Sequence, residues 1–298
     1  MVQNPAALFS SDGVLNVRFS YQHRFDSSIP ARELFCLMTP DGLQNPTLHV
    51  NPGDRLIVTV TNNTPVGTGG MTINPPNCGD TTMNSSSVNI HYHGTNTSPK
   101  CRQDEVIKTL VNSGETFRYN LSFPLNEPPG LYWYHPHVHG IAEHALQGAA
   151  AGALVVDGIN NVQPAVGSLR QRILLVRDQH VPGNPNPTGN VPSWDVTLNY
   201  VPITSPTDPS SSNFVPAILN MEPGEKQFLR VSNSSSDTIL DLQYVFDGVP
   251  QQIQVVAIDG VPVNSQDDPQ SRSVSTSVDM TLATSFSTVT SLATRIWA

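Results

Sequence analysis

Charge is scarce in this 298-residue chain: Asp, Glu, Lys and Arg together make up 13%. With 15 Lys and Arg against 24 Asp and Glu, the net charge is −9, which excludes nucleic acid or an anionic membrane surface as the main partner. No apolar run is long enough to span a bilayer, so a transmembrane helix is excluded. The opening "MVQNPAALFSSDG" lacks the basic and apolar regions of a signal peptide. Cysteine is limited to Cys36, Cys78 and Cys101. That excludes a disulfide scaffold and a cysteine-rich zinc site, and leaves either one bridge, from Cys101 to Cys78 or Cys36, or three free thiols.

What the chain has in quantity is turn formers, 26 Pro and 20 Gly. Between them lie short alternating β-branched and aromatic segments: "VLNVRFSYQ", "TLHV", "RLIVTVTN", "VNIHYHG", "TFRYNLSF", "GLYWYHPHVH" and "GALVV". Only "GIAEHALQGAA" reads as a helical turn. Strands at this spacing predict an all-β fold of sandwich or barrel type. The stretch "NPGDRLIVTVTNNT" (51–64) returns as "EPGEKQFLRVSNSS" (222–235), which predicts two related domains meeting near "DGINNVQPAVGS". In the second copy the strand equivalent to "NIHYHG" reads "VVAIDG", without histidine. Few residues then remain before a Ser/Thr-rich tail from about 270, so the second domain reads as incomplete. N-x-[ST] sequons at Asn62, Asn84, Asn96, Asn120 and Asn233 suggest a secreted glycoprotein.

The chemistry concentrates in two histidine clusters. Residues two apart on a strand face the same way, so His91 and His93 present paired imidazoles, as do His135 and His137. Pro136 lacks an N–H and belongs at a strand end, where ligands can converge. Neutral imidazoles bind Zn, Cu, Fe and Ni. A cupin would also carry H-x-H, but would want a nearby Glu; Glu105 comes late. His139 is expected behind the ligands rather than among them. His144 reads as structural or solvent-exposed, and the isolated His23, His49 and His180 carry no metal role.

"NIHYHG", "SPKCRQDEVIKTLVNSGETFRYNLSF" and "EPPGLYWYHPHVHG…QGAAAGALVV" resemble the amino-terminal cupredoxin domain of the laccase-like multicopper oxidases, and "RILLVRDQHV" with "VVAIDGVPV" resembles their metal-free second domain. The resemblance implies tandem cupredoxin-like Greek-key β-sandwiches: residues 10–160 with the copper ligands, and 165–298 without metal. It implies that His91 binds the type 2 copper, that His93, His135 and His137 bind the type 3 pair, and that Asp104 assists proton delivery. Dioxygen and a small reducing substrate would be the family's reactants. The chain departs from the family in having no Cys after residue 101 and only His180 as a later histidine. The type 1 site and half of the cluster ligands are therefore expected from a further carboxy-terminal domain. The other expectation is a non-catalytic copper-binding fragment or scaffold.

Overall fold

A computed structural model describes residues 1–27, 32–72, 78–79, 82–179, 195–203, 212–236, 238–246, 249–250, 253–263, 277–283 and 291–297. The alternation along Arg55–Asn62 dictates a half-buried strand, and Leu56, Val58 and Val60 are fully enclosed. Its parallel neighbour Val14–Phe25 follows the same period, burying Leu15, Val17, Phe19 and Tyr21. With Thr116–Ser122 and Glu33–Met38 they make a four-stranded sheet. It faces a five-stranded sheet ordered Ala7–Phe9, Thr47–Val50, Gly152–Val156, Gly130–His135 and His91–His93. The inner faces share one core, to which Tyr92, Tyr119, Tyr132 and Tyr134 contribute. Burying each such ring contributes about 1.5–3 kcal/mol. Tyr119 also accepts the Ile90 N–H at 2.9 Å, tying the residue just before the first histidine pair to the opposite sheet.

The internal repeat is visible as geometry. Gly53 and Gly224 both adopt positive φ, 88° and 77°. Both turns close with the same bonds: Asp54 N–H donates to Asn51 O at 3.1 Å, and Glu225 N–H to Glu222 O at 3.0 Å. The acidic side chains answer in kind, accepting the Asn51 N–H at 2.7 Å and the Glu222 N–H at 2.8 Å. Each turn launches a strand lying parallel to an earlier one, Lys226–Asn233 beside Arg170–Gln179 in the second case.

That second half holds a seven-stranded sheet and a three-stranded sheet. The Ser/Thr-rich tail supplies two strands. Ser277–Ala283 lies between Lys226–Asn233 and Gln254–Ile258, and Ser291–Trp297 pairs with Ile239–Phe246. The first residues belong here as well. Val2 enters the core of the second half, its N–H donating to Ile218 O at 2.8 Å, and Asn4 Oδ1 accepts the Ile173 N–H.

The halves meet through the outer face of the five-stranded sheet, where Leu131, Ala153 and Val155 pack on Ile173 and Leu175. Close approach needs glycine. A Cβ on Gly130 would lie 2.4 Å from Gly260 O, and one on Gly260 2.2 Å from the Tyr132 ring.

Candidate metal centre

His91–His93 is the edge strand of the five-stranded sheet, and its antiparallel register sets His91 opposite His135 and His93 opposite Trp133. Cross-strand partners share a face, so the three imidazoles and the indole stand together while Tyr92 turns into the core. One ligand atom each from His91, His93 and His135 lies within 4.8 Å of the others. His93 Nδ1 and His135 Nε2 are 3.4 Å apart. Two imidazole nitrogens bound to one ion at about 2.0–2.1 Å and a tetrahedral angle would sit roughly 3.3 Å apart, so this pair fits a shared metal.

His137 arrives differently from its expected place on the strand. The strand ends at His135, and Pro136, having no N–H, lets the chain leave the ladder. The exposed His137 ring still stands 5.1 Å from His91 and 5.7 Å from His135, centroid to centroid. Its backbone N–H donates to Asn89 Oδ1 at 2.7 Å. The same fully buried Asn89 donates to Val106 O and Thr109 O, so one amide couples the second histidine motif to the loop behind the first.

The outer hydrogen bonds fix which nitrogens are free. Asp104 Oδ1 accepts from Tyr92 N–H at 3.0 Å and lies 3.1 Å from His91 Nδ1, placing the proton on Nδ1 and leaving Nε2 as the ligand atom. His135 Nδ1 lies 2.8 Å from Pro136 O, which leaves its Nε2 bare. Trp133 stacks on His135 at 4.1 Å and on His93 at 5.1 Å, centroid to centroid. Burial, reinforced by the neighbouring His91, pulls His93 from 6.5 down to about 4. Burial also holds His135 well below its ordinary value, with the Pro136 carbonyl opposing it. Both rings are therefore neutral at pH 7. The Asp259 carboxylate, from the second half, acts against the shift at His93.

A disulfide joins Cys78 to Cys101 and Cys36 remains a buried thiol. Of the expected alternatives, bridging to Cys78 is the outcome. Together with the parallel pairing of Cys78–Gly79 and Thr109–Leu110, the bridge closes the loop carrying Asp104. Glu105, the carboxylate a cupin would need, is occupied by Ile107 N–H, Lys108 N–H and the Thr109 hydroxyl. His139 stands exposed at the Gly140 turn, and no hydrogen bond links it to the cluster among the described residues. His49 meets Asp157 and stacks on Phe9. His23 and His144 approach Glu33 beside a cavity of about 570 Å³, on the far side of Pro136 and Val138. None of these three joins the cluster. His180 lies outside the described residues. Trp133, Asn89 and Asp259 were missed in the sequence; the place of Trp133 two residues before His135 was the signal for the first.

Residues 81–161 match the family model described as multicopper oxidase. The iron transport multicopper oxidase FET3 of Candida glabrata is 28% identical over 119 residues, 39% of this chain and 15% of that protein. The McoA multicopper oxidase 2F4 variant from Aquifex aeolicus superposes with a TM-score of 0.65 at 16% identity, covering 95% of this chain and 56% of that one. The bacterial laccase-like multicopper oxidase CueO from Ochrobactrum sp. gives 0.62 at 16% identity, covering 96% and 58%. At such identities the likeness speaks for a cupredoxin-like fold, and this chain spans a little over half the length of those structures.

Proposed function

Since this chain belongs to the multicopper oxidase family, we propose that it supplies the amino-terminal part of a trinuclear copper centre. In this reading His91 binds the type 2 copper, and His93, His135 and His137 bind the type 3 pair. Residues 10–160 form the ligand-bearing cupredoxin domain and residues 165–298 a metal-free one. The observation that carries the proposal is the 3.4 Å approach of His93 Nδ1 and His135 Nε2 beside His91. Bound copper would supply one-electron steps linking a reducing substrate to the reduction of dioxygen to water.

The protein's own part is orientation and proton supply. Asp104 Oδ1 and Pro136 O hold the Nδ1 protons of His91 and His135, so their Nε2 lone pairs face the metal without rearrangement. Trp133 fixes the planes of two rings and keeps water off one face. Reducing dioxygen consumes protons, and Asp104 Oδ2, outside both bonds of Oδ1, is the atom at which one can be passed inward.

A blue copper site needs a thiolate. Cys78 and Cys101 are bonded to each other, and Cys36 is a buried thiol that does not belong to the imidazole cluster. Electron entry and the remaining ligands therefore belong to a further domain, and the chain alone is a copper-binding, non-turning-over unit. Copper-loaded protein should show a type 2-like EPR signal, no intense blue absorption and no sustained oxidation of a phenol. The signal should disappear in His91→Gln. Steady turnover by this chain alone, or copper uptake unaffected by the substitution, overturns the reading.

A further inference from the structure

Along Arg170–Gln179 the residues Ile173, Leu175 and Arg177 leave the sheet on one face. The first two are part of the apolar seam between the halves. Arg177 continues that row at 1% exposure, so a permanent cation stands where an aliphatic side chain would be expected. Its guanidinium lies 4.4 Å over the Tyr200 ring, and Nη2 donates to Ala151 O at 2.8 Å. Nε and Nη1 have no partner. Among the described residues no carboxylate pairs with it. The adjacent Asp178 accepts from Ser236 N–H and the Thr238 hydroxyl instead.

The neighbouring polar atoms are of the same kind. Thr197 is the direct cross-strand partner of Arg177, fully buried, and its hydroxyl has no partner. Trp133 packs on Ala151, the residue whose carbonyl receives Arg177 Nη2, and its Nε1 is likewise unpartnered. Guanidinium and indole can only donate, and a threonine hydroxyl can do so. A buried charge whose Nε and Nη1 lack partners, beside a hydroxyl that lacks one too, is costly unless an acceptor completes it. A water molecule would bring two further protons needing acceptors; a small anion brings none.

We propose that the seam between the two halves holds a small monovalent anion of halide size, bound by Arg177 Nε and Nη1 and by the Thr197 hydroxyl. The site is separate from the imidazole cluster and links the halves through charge.

Crystals of the full chain grown in bromide should show an anomalous peak beside Arg177. In copper-free protein, where halide coordination at copper cannot contribute, chloride at a few-fold excess over its Kd should raise Tm by roughly 2–4 °C relative to gluconate at equal ionic strength. Arg177→Met should abolish that response without lowering Tm in gluconate. No anomalous peak at Arg177, or an equal chloride response in wild type and Arg177→Met, overturns the proposal. Should the variant fail to fold, the bromide crystals of the wild type decide alone.

Discussion

Asp104 bears on both stability and metal affinity, because one oxygen serves His91 and the buried Tyr92 N–H. Asp104→Ala should cost about 1–3 kcal/mol in unfolding through the stranded N–H, and weaken copper binding roughly 10–100-fold. Asp104→Asn, which keeps an acceptor oxygen, should restore most of the stability; calorimetry with and without copper separates the two effects. His93 adds a pH dependence. Its folded value of about 4 lies below the unfolded 6.5, so the unfolded chain binds the extra proton. The stability is therefore full above pH 6.5 and declines as pH falls toward 4. The Tm of copper-free protein should follow that course, more shallowly in His93→Asn. Among the sequons, Asn62 is fully buried with its amide bonded to Ser86 O and Val111 O, so it cannot carry a glycan in the folded protein, whereas Asn120 is exposed.

At the scale of elements, both an alternating strand and a short, wholly apolar one were legible in the sequence. "RLIVTVTN" coincides with Arg55–Asn62, and "GALVV" with Gly152–Val156. The one misplacement at the site has a local cause: H-P-H reads as a strand by period, yet proline ends the ladder and Asn89 sets where His137 comes to rest. A side-chain amide bridging two loops has no period, which is why Asn89 was invisible. The loop carrying Asp104 likewise depends on a bridge that the sequence left open. Closing a loop with sequence separation 23 is worth about 3 kcal/mol. Cys101→Ser should lower the unfolding free energy by about that amount. Hydrogen exchange should then rise across residues 98–109, with little change in the strand Arg55–Asn62. Uniform acceleration over both regions would show that the bridge acts on the whole sandwich rather than on the loop.

For the whole molecule, the two halves carry turns that close with the same pair of bonds, one from the backbone and one to the acidic side chain. Their joint was not legible, because it rests on the absence of side chains: Gly260, at φ 78°, nests against Tyr132 and Gly130. Gly260→Ala should cost about 1–3 kcal/mol through overpacking alone and split a single thermal transition into two. A variant that still unfolds in one step at unchanged Tm would show the joint to be tolerant.

Val2 and Asn4 have consequences for biosynthesis. Their partners Ile218 and Ile173 leave the ribosome long after them. During translation residues 2–4 must wait, solvated and unclaimed, while the sheets that follow them assemble. Docking of residues 2–4 is thus a late event, completed only once the strand Arg170–Gln179 and the segment around Ile218 have been made.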